Sequence, residues 1–251
     1  MARAELATPV QWARQSWSLE ADGAPCGGLV LFALDAPEQE RRQLASLLSV
    51  EESARAARFL ATADGQRFVT AHGRLRQLLG SLLEMAPAML EFGSAPRGKP
   101  RLAGAAAGTG LCFNLSHSGD VGLIGWSRGR EIGVDVEVWR ALRDTAALVR
   151  RFFSPVEIAS WEALEPAARH AAFFNLWTRK EAYVKALGRG LSLPLASFDV
   201  SHESGAGAWL LRASPHAGDG REWSVTATDA GPGVSLAVAL EAGICHIRAR
   251  A

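Results

Sequence analysis

Residues 154–188 read S-P-V-E-I-A-S-W-E-A-L-E-P-A-A-R-H-A-A-F-F-N-L-W-T-R-K-E-A-Y-V-K-A-L-G. Ser154, Pro155 and Glu157 form a capped helix start with proline at the first position, and a longer helix from about Pro166 to Leu187 stops at Gly188. The first half of the chain repeats this plan at similar spacing. Ser49 and Glu52 make an S-x-x-E capping box, and a second long helical pattern runs from about Asp64 to Met85, expected to end, like its counterpart, on a Leu-Gly pair. The repetition predicts a degenerate duplication: a pseudodimer of two similar α/β subdomains, residues 1–129 and 130–251, with a cleft between them. Strand patterns fall at 28–34, 89–92, 111–115, 121–126 and 131–138, then at 197–200, 209–213, 223–227 and 234–240. Strands and helices come in blocks, so the fold class is α+β.

At 251 residues the chain is long enough to bury a real core in each half. A net charge of +1 builds no field for nucleic acid or an anionic membrane, and neither is expected as a partner. Three widely spaced cysteines, Cys26, Cys112 and Cys245, form no paired framework, which favours a reducing, cytoplasmic setting. No stretch approaches the ~20 apolar residues that span a bilayer.

The charged residues are distributed unevenly. Only three lysines occur, Lys99, Lys180 and Lys185, and every other non-histidine base is arginine. A compact ammonium at these places suggests that a point charge is wanted. In G-V-D-V-E, 133–137, strand alternation sends Ile132, Val134, Val136 and Val138 to one face and Gly133, Asp135 and Glu137 to the other. Two carboxylates about 7 Å apart along a strand suit a hard cation such as Mg²⁺, and equally suit a solvated acidic edge. On the helix at 173–187, Phe173, Leu176, Trp177, Val184 and Leu187 form an apolar arc. Lys180 falls inside it, Glu181 and Lys185 border it, and Asn175, Arg179, Ala182 and Ala186 read as the solvent side. Charge at a packed face points to a polar cleft. The segment F-N-L-S-H-S-G-D, 113–120, reads as a strand exit whose Ser116, His117 and backbone amides could present donors to a phosphate, or as a plain turn.

Together these segments resemble the 4′-phosphopantetheinyl transferases of the surfactin-synthetase-activating type. The matching stretches are R-A-A-R-F (55–59), R-F (67–68), G-K-P (98–100), F-N-L-S-H-S (113–118), G-V-D-V-E (133–137), F-F-S-P-V-E (152–157) and F-F-N-L-W-T-R-K-E-A-Y-V-K-A-L-G-R-G-L (173–191). They cover about residues 50–200 in the family's order.

The resemblance implies two related halves, coenzyme A in the cleft between them, and transfer of phosphopantetheine to a serine of an apo acyl or peptidyl carrier protein with release of 3′,5′-ADP. It implies Mg²⁺ held by Asp135, Glu137 and Glu181, with Lys180 and Lys185 stabilising phosphate charge. His117 would hold a phosphate, beside the Ser116 of the loop reading, and Arg55, Arg58 and Lys99 would engage the 3′-phosphate and nucleotide end. Such chemistry is mostly positioning and charge neutralisation. Glu181 is the candidate base for the serine proton, because Lys185 would need an unusual pKa. His72 stands where the family commonly has arginine. Two fused halves supply a whole cleft, so a monomer is expected. A catalytically silent coenzyme A or carrier binder, and a Mg²⁺-dependent phosphohydrolase, are the alternative readings.

Overall fold

The protein is represented by a computed structural model that describes residues 11–95, 98–203, 210–212 and 221–249. In chain order its elements are β1 (Ala13–Ala21), β2 (Ala24–Ala33), α1 (Glu38–Ala45), α2 (Val50–Ala56), α3 (Thr62–Leu83), β3 (Glu91–Ser94), β4 (Pro100–Ala103), β5 (Leu111–Ser118), β6 (Val121–Arg128) and β7 (Ile132–Val138). There follow α4 (Thr145–Phe152), α5 (Pro155–Glu162), α6 (Pro166–Leu187), β8 (Asp199–Val200), β9 (Leu210–Arg212), β10 (Ser224–Asp229), β11 (Val234–Leu240) and β12 (Cys245–Ala249). The class is α+β.

Two antiparallel sheets stack back to back, each covered by one long helix. The five-stranded sheet runs β12-β1-β2-β6-β5 and the three-stranded sheet β10-β11-β7. Val30, Phe32 and Ile124 face α3 through Ala71, Leu75, Leu78 and Leu79. The alternate residues Leu29, Leu31 and Leu123 turn the other way and meet Ile132, Val134, Val136 and Val238 of the second sheet. The far side of that second sheet, with Ala237 and Ala239, packs on α6. Strand alternation therefore divides β7 as its sequence predicts: valines toward the other sheet, Gly133, Asp135 and Glu137 toward the helix.

Both capping boxes form, with Ser49 and Ser154 each accepting from the third helical amide and Glu52 and Glu157 returning the bond. The expected Leu-Gly stop holds for α6, where Gly188 is left-handed at φ 62°, but not for α3. That helix runs through Gly80 to Leu83 and turns at Glu84, because Gly80 serves a close approach instead: a Cβ there would meet Met85 O at 2.8 Å. The solvent side expected on α6 is also absent. Ala182 and Ala186 are buried against the sheet, and Arg179 is buried with its guanidinium donating to Ser201 O and Glu203 O. Small residues let α6 lie close on β7, so a face that lacks bulk is a contact face. Burial lowers the Arg179 pKa to about 10.

Four elements have no counterpart in the sequence reading: β1, β4, α4 and β12. β12 pairs with β1, Trp17 to Ala21 opposite Ala249 to Cys245, so the last of the described strands joins the sheet that contains β1 and β2. Of the strand expected at 209–213, only 210–212 lie within the described residues.

Candidate active site

The expected phosphate loop at Ser116 and His117 is strand: β5 continues to Ser118. Its alternation gives the F-N-L-S-H-S segment two separate jobs. Asn114, Ser116 and Ser118 face β7 and join the two sheets through side chains: Asn114 Oδ1 accepts from Val134 N (2.8 Å), Ser116 Oγ donates to Asp135 Oδ1 (2.7 Å), and Ser118 Oγ donates to Glu137 Oε2 (2.7 Å). Ser118 Oγ also accepts from Val138 N (3.1 Å), so edge amides of β7 find partners without a backbone ladder. Phe113 and His117, with Leu115, point instead into a cleft of about 630 Å³. Arg55, Phe68, His72 and Phe92 line its other walls. All of these lining residues belong to the first half; Asp135 and Glu137 of the second half meet β5 along the β5–β7 seam, at Ser116 and Ser118, on the strand's other face.

At that seam Lys185 Nζ donates to Asp135 Oδ1 (2.6 Å) and to Ser116 Oγ (2.8 Å). Asp135 is 4% exposed, and its Oδ2 is buried without a hydrogen-bond partner among the described residues. Burial raises the Asp135 pKa, against the pull of Lys185 and Ser116. Glu181 has its pKa raised by burial and then by Asp135 and Glu137, with Lys185 opposing. It makes no hydrogen bond among the described residues. Glu137 also accepts from the exposed Arg140 (2.8 Å). The imidazole of His117 is pushed below its ordinary value by desolvation, then by Lys185, His72 and Arg67.

This donor set fits a hard divalent ion in its chemistry: a buried carboxylate oxygen without a partner, and a second acid whose charge is opposed by burial. Among the described residues no three acidic, histidine or cysteine side chains are already gathered closely enough to enclose one.

The structure does not bring every predicted site residue here. Lys180 is fully buried, paired with Glu157 (2.8 Å) and donating to Leu195 O and Phe198 O (2.7 Å each). It therefore faces the α5 side of α6, away from Asp135. Lys99 is buried too, its ammonium taken by Glu131 and by the carbonyls of Ile132 and Ala186. Arg55 does face the cleft, its guanidinium 5.1 Å from the Phe68 ring centre. Arg58 is exposed beside it in sequence but does not line the cleft.

Sequence reasoning singled out the R-F pair at 67–68 and His72, but not the stacking of Phe68 on His72 at 3.9 Å nor the Glu52 side chain behind them. Glu52 accepts from Arg76 Nε (2.7 Å) and meets His72 Nδ1 at 3.0 Å. Burial would raise Glu52, but the bonds from His72, the Ser49 amide and Arg76 prevail and bring it down to about 2. The alternation of Asn114, Ser116 and Ser118 with Phe113, Leu115 and His117 was the available signal for the seam.

Two sheets backed by long helices thus bring Asp135, Glu137 and Lys185 together along their seam. Residues 131–239 match the 4′-phosphopantetheinyl transferase superfamily, and residues 35–126 match the N-terminal domain family of 4′-phosphopantetheinyl transferases. The chain is 41% identical over 159 residues to the 4′-phosphopantetheinyl transferase HetI of Nostoc sp., an alignment spanning 63% of this chain and 67% of that one. It is 33% identical over 167 residues to a 4′-phosphopantetheinyl transferase of Bacillus subtilis, spanning 66% and 71%. To the transferase Sfp of Bacillus subtilis strain 168 it is 28% identical over 169 residues, spanning 67% and 73%. The chain belongs to the 4′-phosphopantetheinyl transferase superfamily. No helix among the described residues is long and apolar enough to cross a membrane.

Proposed function

We propose that this enzyme transfers 4′-phosphopantetheine from coenzyme A to a serine of an apo acyl or peptidyl carrier protein, releasing 3′,5′-ADP, with Mg²⁺ as cofactor. One observation carries the reading: Lys185 donates to Asp135 at 2.6 Å within the electrostatic reach of Glu181, on the strand pair whose other face turns His117 into the cleft lined by Arg55. Asp135, Glu137 and Glu181 would hold Mg²⁺, which when bound neutralises diphosphate oxygens. Among the described residues these acids are not yet gathered around one point, so holding the ion requires their side chains to move together.

The chain's own groups then divide the work. Lys185 and His117 face the diphosphate, and Arg55 over Phe68 offers charge and a ring to the nucleotide end. The serine oxygen bonds to the β-phosphorus while the bond from that phosphorus to the bridging oxygen breaks. Glu181, whose carboxylate is more basic than usual, takes the serine proton directly or through water. Both halves come from one chain, so the enzyme acts as a monomer. Its free thiols, Cys26, Cys112 and Cys245, agree with a cytoplasmic setting.

The test is to mix the protein with Mg²⁺, coenzyme A and an apo carrier protein and to weigh the carrier. A phosphopantetheine mass gain supports the reading. Coenzyme A binding without mass gain makes it a silent binder, and phosphate or nucleotide release without carrier makes it a hydrolase.

A further inference from the structure

Lys99 lies just before β4 in the first half, yet its ammonium ends between two elements of the second. It donates to Ile132 O at 2.8 Å, in the first residue of β7, and to Ala186 O at 2.9 Å, in the last turn of α6. A third bond, at 2.7 Å, goes to Glu131 Oε2, whose other oxygen accepts from Arg101 (2.8 Å). An ammonium has three donors, and all three are used. The side chain is 6% exposed, which leaves it neither a free proton nor an open path to a phosphate.

The two carbonyls are informative. Ile132 lies three residues before Asp135 and Ala186 one residue after Lys185, so one ammonium joins the ends of both elements that carry the site. Ala186 O is among the last carbonyls of its helix, which have no partner within the helix and favour a cation. Burial lowers the Lys99 pKa while Glu131 opposes the shift. Pro100, the next residue, lines the cleft.

We propose that Lys99 is a positioning residue: by tying the start of β7 to the end of α6 it sets the separation of Asp135 and Glu137 from Glu181 and Lys185, and it contacts no part of coenzyme A. This rests on the function proposed above. A lysine with this role should govern metal affinity and turnover. A lysine bound to the nucleotide's 3′-phosphate should instead govern the preference for coenzyme A over 3′-dephospho-coenzyme A.

The experiment compares wild type with Lys99→Met in three measurements: Mn²⁺ affinity by calorimetry with coenzyme A present, kcat, and the ratio of KM values for coenzyme A and 3′-dephospho-coenzyme A. Lys99→Met should weaken Mn²⁺ binding about 10-fold and lower kcat at least as much, leaving the KM ratio unchanged. Lys99→Arg, which keeps the charge and several donors, should recover part of the Mn²⁺ affinity and also serves if Lys99→Met does not fold. A collapsed KM ratio with wild-type Mn²⁺ affinity in the folded variant overturns the proposal. Should wild type itself neither bind Mn²⁺ nor modify a carrier, the functional reading fails instead.

Discussion

Lys180 Nζ lies 2.8 Å from Glu157 Oε2, and neither side chain reaches solvent. The acid also receives Ser154 N and Val200 N, so one carboxylate joins the start of α5, the middle of α6 and β8. The first half has the same device: the capping acid Glu52 receives His72 and Arg76 from α3. The two lysines of the W-T-R-K-E-A-Y-V-K segment thus have different work, Lys180 holding the fold and Lys185 facing Asp135.

Lys180→Met leaves a buried carboxylate unpaired and should cost about 3–5 kcal/mol in urea unfolding. Adding Glu157→Gln should restore part of that, and the double variant should bind coenzyme A as wild type does. Wild-type stability joined to lost coenzyme A affinity would instead place Lys180 at the ligand.

Glu52 gives the clearest pH signature. Its native pKa is held down to about 2, well below the ordinary glutamate value of 4.5. A depressed carboxylate contributes stability that is fully present above the unfolded value and lost as pH falls toward the native one. Thermal melts from pH 7 to pH 2 should therefore show the wild type losing Tm between about pH 5 and 2. Glu52→Gln should have a lower Tm at pH 7 and a flatter acid limb. Parallel limbs for the two proteins would refute this account of the Glu52 cluster.

Glu181→Gln keeps the shape of the side chain and removes its charge and basicity. Turnover should fall by about 10²–10⁴-fold, the usual contribution of a general base, while coenzyme A binding measured by calorimetry stays within about threefold. Unchanged turnover would remove Glu181 from the chemistry.

What the sequence makes legible is local. Strand alternation places Asp135 and Glu137 correctly because β7 is sandwiched between two different layers, and the capping boxes need only four residues each. The errors come from tertiary context. Ala182 and Ala186 look like a solvent face until the closeness of β7 is known. The lysine bias at Lys99 and Lys180 does mark places that want a compact cation, but their partners are largely backbone carbonyls, which no residue pattern displays. The pairing of β12 with β1 joins residues as far apart as Glu20 and Arg248, beyond the reach of any periodicity.

Gly133 is where the closeness of β7 and α6 can be tested. A Cβ built there lies 2.7 Å from Ala186 Cα and nearer still to Ala182 O and Ala186 N, all parts of the α6 backbone that cannot rotate away. Glycine inside a strand marks such an approach of another backbone. Gly133→Ala must push α6 outward, and overpacking of this kind costs about 1–3 kcal/mol. Because Glu181 and Lys185 ride on α6 while Asp135 sits two residues from the substitution, the displacement also separates the acids. Gly133→Ala should therefore lose more turnover than its modest destabilisation accounts for when assayed well below its Tm. An alanine variant with wild-type Tm and turnover would mean that helix and strand are not in contact as described.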